Sequence, residues 1–187
     1  NFGEYDSLKQ VVNNNPNRMI SYEKCIEILD DCAALGVKAL QFTGGGEPTV
    51  HPKHKEIFQY TLDKGMDLAL VTNGTIMRPG VPEILAKGKW VRFSVDAGNS
   101  KTYSEVREVP EKFFYKTLKN IEKVSEARAK VPQSDLVIGV GFVVTKENWR
   151  EIYDAVEIYS KLGVDNARVS AVFTPEDFEY HKEHYEE

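Results

Sequence analysis

The residues best placed to do chemistry fall in one stretch, Ala39 to Val50, ALQFTGGGEPTV. The apolar residues Ala39, Leu40 and Phe42 read as a buried strand that runs into Gly44, Gly45 and Gly46, then Glu47 and Pro48. Three successive glycines cost backbone entropy; in return they allow positive φ and let a ligand approach bare N–H and C=O groups. Glu47 sets a carboxylate beside that backbone, and Pro48 restrains it to an extended conformation. Exposed carbonyls with a carboxylate suit an ammonium group. A phosphate loop would instead end in Gly-Lys-Ser/Thr and aim a helix N-terminus at an anion. Taken alone, the run is equally a Gly-rich turn after a strand of an α/β protein.

The elements that must position this stretch alternate regularly. Ser21 to Leu35 reads as an amphipathic helix with Ser21 as N-cap and Gly36 at its C-terminus. Strands are expected over Val37 to Thr43, Asp67 to Thr72, Trp90 to Val95, Leu136 to Thr145 and Ala167 to Phe173. Helices are expected between them, over Lys53 to Lys64, Pro82 to Lys87, Ser100 to Arg107, Lys112 to Ala129 and Asn148 to Leu162. Strands joined by helical segments need right-handed crossovers, so the fold class is α/β with a parallel sheet, either doubly wound or a (β/α) barrel. Both put chemistry at the strand C-termini. Residues 1–20 are expected to be irregular and 175–187 to form an acidic helix, with the whole of 1–187 as one domain.

The other strand tips carry further polar groups. Asn73, before Gly74, offers an amide, or simply makes an Asn-Gly turn. Ser94 and Asp96 alternate, which points both to one side, where hydroxyl and carboxylate suit ribose hydroxyls; Asp96 as the cap of the following turn is the alternative. Gly139 and Gly141 would let something flat approach the fourth strand.

Gly44-Gly45-Gly46-Glu47-Pro48 after a strand resembles the glycine-glycine-glutamate motif of radical S-adenosylmethionine (SAM) enzymes, which holds the amino group of the SAM methionine moiety. Ser94-x-Asp96 followed by Tyr103 and Arg107 is similar to the fourth barrel strand and next helix of the peptide-modifying and cofactor-maturing members. The resemblance implies a parallel partial (β/α)6 TIM-like barrel and gives Arg107 the SAM carboxylate and Val143 and Val144 the adenine. The chain departs from the family's GxIxGxxE pattern there, with Val144 in place of the glutamate. It further implies a [4Fe-4S] cluster on a Cys-x3-Cys-x2-Cys loop, reductive cleavage of SAM to a 5'-deoxyadenosyl radical, a small-molecule or peptide substrate, and an electron donor such as flavodoxin or ferredoxin. That loop and the first barrel strand are expected upstream of Asn1. With Glu47, Ser94, Asp96 and Arg107 all present, a segment of a longer enzyme is favoured over a degenerate relative. A cluster-free SAM- or nucleotide-binding module is the alternative.

The remaining composition mostly excludes. A net charge of -5 leaves no basic footprint for nucleic acid or an anionic membrane, and no run is long and apolar enough to span a bilayer. Cys25 and Cys32, the only two cysteines, sit seven residues apart on one helix, about 10 Å along its axis, too far for a disulfide or one metal. So few cysteines point to the cytoplasm. His51 with His54, and His181 with His184, have a spacing that could serve one metal, but solvated surface histidines are the commoner outcome. Trp90 reads as core or helix-sheet packing. No residue is nominated as a catalytic acid or base, or as a metal ligand.

Overall fold

The computed structural model describes residues 19–172. Most of the irregular segment expected over 1–20, and the acidic helix with His181 and His184, lie outside the described residues. Helix α1 (Tyr22–Ala34) starts where the Ser21 hydroxyl accepts from Lys24 N at 3.2 Å and ends before Gly36 at φ 78°, as its capping residues dictate. There follow β1 (Ala39–Phe42), a 3-10 turn (Pro48–Val50), α2 (His54–Asp63), β2 (Asp67–Thr72) and α3 (Val81–Leu85). Next come β3 (Trp90–Ser94), α4 (Ser100–Arg107), α5 (Lys112–Ala129) and β4 (Val137–Val144). A second 3-10 turn (Trp149–Glu151), α6 (Ile152–Ser160) and β5 (Asn166–Ala171) complete the described chain.

All four strand pairings are parallel and the spatial order is β1-β2-β3-β4-β5. A doubly wound sheet requires the strand order to reverse. Sequential order throughout removes that architecture and leaves a partial (β/α) barrel, with five strands among the described residues.

Alternation along the strands divides the sheet into two faces. Leu68 and Leu70 of β2, Val91 and Phe93 of β3, and Ile138, Val140 and Phe142 of β4 are 0–2% exposed and pack beneath the helices. Burial of each contributes about 1.5–3 kcal/mol. Residues of the other parity line the concave face: Ala69 and Val71, Trp90, Arg92 and Ser94, Gly139, Gly141 and Val143. Trp90 is therefore half-buried on the inner wall, with the Arg92 guanidinium 5.2 Å from its ring, and is not a core residue. Among the described residues no helix is long and apolar enough to cross a membrane.

Candidate functional site at the strand tips

The chain leaves β1 through Gly44, Gly45 and Gly46, all exposed. None has positive φ, so the left-handed freedom of glycine is unused here. Packing does not demand glycine either. An added Cβ at Gly45 or Gly46 would meet nothing within 4 Å, and one at Gly44 only Gly46 N at 3.9 Å. What remains is approach from outside, and the run fits a ligand laid against its backbone. Gly74 shows the contrast: its φ is 72° and a Cβ would sit 2.7 Å from Phe93 Cδ1, so the fold itself needs that glycine.

Glu47 follows at φ -96° and ψ 117°, the extended conformation that Pro48 imposes. Its carboxylate stitches the tips of β1 and β2 together. Oε1 accepts from Thr49 N at 3.0 Å, Thr49 Oγ1 at 2.7 Å and Thr72 Oγ1 at 2.7 Å; Oε2 accepts from Asn73 N at 2.7 Å. Every donor is neutral, and no Lys or Arg pairs with Glu47 among the described residues. Oε1 is saturated, while Oε2 keeps a lone pair. A half-buried negative charge without a counter-ion beside bare backbone matches an ammonium group.

Asn73 makes a local turn, as the alternative reading had it: its Oδ1 accepts from Thr75 N at 2.9 Å and Thr75 Oγ1 at 2.7 Å. Only its Nδ2 is left for a ligand. Gly74 O takes Asn120 Nδ2 at 2.8 Å and Asn73 O takes Thr117 Oγ1 at 3.2 Å, so α5 holds this tip from behind.

At the tip of β3 the expected alternation fails. The strand ends at Ser94, and Asp96 has φ 60°, a left-handed conformation that Asp tolerates better than most residues. The turned backbone sends the carboxylate across to β4 and α4. Asp96 Oδ1 accepts from Val143 N at 2.8 Å and Oδ2 lies 2.8 Å from Arg107 Nη2. Both Asp96 oxygens thus have protein partners, and the side chain clamps the β3–β4 tip. The Ser94 hydroxyl has no side-chain partner among the described residues. Burial holds the Asp96 carboxyl above its ordinary range, opposed by the Arg107 charge and the Val143 N–H.

Arg107 makes neither of the surface pairs that Glu105 or Glu108 would offer; it pairs with Asp96. Its Nε and Nη2 are buried with no well-aligned hydrogen-bond acceptor. Orphaned guanidinium donors cost free energy unless a second acceptor arrives, and a ligand carboxylate would serve. Val143 and Val144, the adenine candidates, are half-buried at the end of β4. The backbone of Val143 is already engaged, its N–H with Asp96 and its C=O with Asn148 Nδ2 at 2.8 Å, so only apolar contact remains there. The β4 glycines also differ from expectation. The Asn166 side chain fills the space above Gly139, with Oδ1 2.9 Å from an added Cβ, and Arg92 Cδ lies 3.6 Å from one at Gly141.

Three residues that sequence reasoning passed over secure this tip. Asn148 Nδ2 donates to Asp96 O at 2.9 Å, Glu151 Oε2 accepts from Gly98 N at 2.8 Å, and Tyr159 donates to Ala97 O at 2.5 Å. Burial, together with the nearby Asp96 and Glu151 charges, pushes the Tyr159 phenol far above its ordinary range. The signal in the sequence was two polar residues soon after β4, Asn148 and Glu151; their partners include backbone atoms some fifty residues away.

His51 and His54 are not both on the surface: His54 is 1% exposed, its Nδ1 2.7 Å from His51 O, while His51 Nε2 meets Ile20 O at 3.0 Å. Burial lowers the His54 pKa. Among the described residues no three Cys, His, Asp or Glu side chains group as a metal site, and Cys25 and Cys32 are free thiols. Three thiolates for a [4Fe-4S] cluster therefore come from none of the described residues.

Comparison with known proteins agrees with this geometry. A family model described as Radical SAM superfamily matches residues 4–158. The chain is 32% identical over 162 residues to the tungsten-containing aldehyde ferredoxin oxidoreductase cofactor-modifying protein of Pyrococcus furiosus, covering 84% of this chain and 45% of that protein. It is 31% identical over 150 residues to the AdoMet-dependent heme synthase of Methanosarcina barkeri, covering 79% and 40%. The chain thus spans less than half the length of these relatives. In fold it is similar to Streptococcus suis SuiB bound to S-adenosylmethionine, with a TM-score of 0.68 at 21% identity over 88% of this chain and 37% of that one. Native anSMEcpe with bound AdoMet gives 0.65 at 15% identity, over 88% and 46%. The radical SAM superfamily uses SAM and a [4Fe-4S] cluster, and this chain belongs to it.

Proposed function

We propose that the C-terminal edge of β1 to β4 grips SAM in a radical SAM enzyme of which this chain forms the barrel core. The observation that carries the proposal is the Glu47 carboxylate, which lacks a counter-ion and stands beside three glycines the fold does not require. Glu47 Oε2 and the Gly44 to Gly46 backbone hold the ammonium group. Arg107 Nε and Nη2 take the carboxylate, the Ser94 hydroxyl and Asn73 Nδ2 face the ribose, and the Val143 and Val144 side chains form an apolar wall for adenine. Asp96 acts indirectly, by fixing Arg107 and closing the β3–β4 tip.

With a reduced [4Fe-4S] cluster bound by a segment outside the described residues, the chemistry supplied is cleavage of SAM to methionine and a 5'-deoxyadenosyl radical that takes hydrogen from a substrate. This chain's own part is to orient SAM and to keep water from the reacting edge. Solved structures of similar fold include SuiB bound to the precursor peptide SuiA, which supports a peptide as substrate; a small molecule is the alternative. A flavodoxin- or ferredoxin-type protein as electron donor and the cytoplasm as location complete the reading.

The test is anaerobic reconstitution of the full-length protein with iron and sulfide, reduction, and assay for 5'-deoxyadenosine. The expected product is 5'-deoxyadenosine in step with methionine. A cluster-loaded, SAM-saturated sample that forms none would leave only a SAM-binding module.

A further inference from the structure

We infer that the concave face of the barrel binds the anionic end of a ligand, a carboxylate or phosphate, between Arg92 of β3 and Arg168 of β5. The anion site stands on the geometry of that face; naming its occupant the substrate rests on the SAM reading above.

Strand register brings the two arginines to the same face. Arg92 pairs with Gly139, which pairs with Asn166, and one row nearer the tips Ser94, Gly141 and Arg168 align. Partners in a parallel ladder share a face, so Arg92 and Arg168 stand on either side of β4. Two strand spacings, roughly 10 Å, and one row, roughly 7 Å, separate their backbones. Between them β4 presents only Gly139 and Gly141, and the Asn166 side chain reaches over Gly139 from β5, its Oδ1 2.9 Å from a Cβ placed there. Arg92 leans over that floor, with Cδ and Cγ 3.6 and 3.9 Å from a Cβ placed on Gly141, and its guanidinium rests against Trp90. A cavity of about 360 Å³ opens on the Arg92 side, where Lys89, Arg92 and Asn166 are its polar lining; Arg168 stands outside it.

Charge is out of balance on this face. Neither arginine has a carboxylate partner among the described residues, and Arg92 Nε is buried without a hydrogen-bond partner. The one acidic side chain of the same parity in these strands is Asp67, exposed at the first position of β2 and two rows below Arg92, roughly 13 Å away. A half-buried guanidinium with an orphaned donor, Arg92, and an exposed one on the edge strand, Arg168, neither with a carboxylate partner among the described residues, are matched by an anion. Such a ligand would place its charge in the lower half of the barrel and present the rest of itself to the tips where SAM sits.

The test is isothermal titration of the full-length protein, with and without SAM, using succinate, inorganic phosphate and neutral succinamide. Succinate or phosphate should bind, the tighter of the two assigning the group, and succinamide should not. Arg92→Gln should weaken the anion about tenfold or more and Arg168→Gln about threefold, while Arg92→Lys retains most of it. SAM affinity should stay within about twofold in all three variants, whose thermal melts report folding. Equal binding of succinamide, or anion affinity unchanged in Arg92→Gln, would overturn the anion site and leave the SAM reading standing. Anion binding that responds to Arg92→Gln in a protein that fails to bind SAM would instead remove the SAM reading and keep the site.

Discussion

At the β1–β2 tip Glu47 is half-buried and meets only neutral donors, whereas at the β3–β4 tip Asp96 is buried, left-handed and held against Arg107. Both carboxylates bridge neighbouring parallel strands where the ladder ends. Their electrostatic states differ: the Asp96 charge is compensated by Arg107, while that of Glu47 has no cationic partner among the described residues. A carboxylate at a strand tip is therefore not by itself a ligand site. Its partners decide whether it is fastened to the fold or left for a guest.

The glycines break this comparison most sharply. Gly74→Ala, which forces a Cβ against Phe93 and Thr117 at positive φ, should cost about 2–4 kcal/mol of stability in a denaturant melt and leave SAM affinity per folded molecule unchanged. Gly45→Val should do the reverse, with stability within about 0.5 kcal/mol of wild type and SAM affinity down about a hundredfold, because the new side chain occupies open space a ligand would use.

Arg107→Met probes the compensated tip. It strands the Asp96 carboxylate, only 10% exposed, and should cost about 2–3 kcal/mol near neutral pH. The sign of its pH dependence follows from burial. The folded-state pKa of Asp96 is raised, so the native state binds its proton more tightly than the unfolded chain does. The group's contribution to stability is greatest at low pH and is lost as pH rises from the ordinary carboxylate range through the raised value. Removing Arg107 takes away the main opposing influence and extends that window upward, so the penalty should shrink on acidification. Denaturant melts of wild type and variant across acid to neutral pH check this, and Asp96→Asn in the Arg107→Met background should recover most of the loss.

Tyr159→Phe gives the smallest effect. It leaves Ala97 O without its buried donor and should cost about 1–2 kcal/mol with little change in SAM affinity.

The strands and helices were legible because each apolar run is short, alternating or amphipathic and closed by a cap or a glycine, as at Ser21 and Gly36. Sequential strand order, which selects a partial barrel over a doubly wound sheet, is a tertiary fact that periodicity does not contain. Glu47 was legible from its neighbours Gly46 and Pro48. The clamp that Asp96 makes with Val143 and Arg107 was not, since its left-handed backbone carries no glycine to announce it. Asn148, Glu151 and Tyr159 were hidden for a related reason: each serves a backbone group distant in sequence. Gly139 and Gly141 read as a ligand platform, whereas the space above them holds Asn166 and Arg92.

The most direct measurement is isothermal titration of SAM into the full-length protein and its Glu47→Gln variant, repeated with a SAM analogue lacking the amino group. If Glu47 supplies the charge that receives the ammonium, the variant should lose about tenfold to a hundredfold for SAM, and the analogue should bind both proteins equally weakly. Wild-type affinity for SAM in a folded Glu47→Gln protein, or an analogue that still distinguishes the two, would contradict that role.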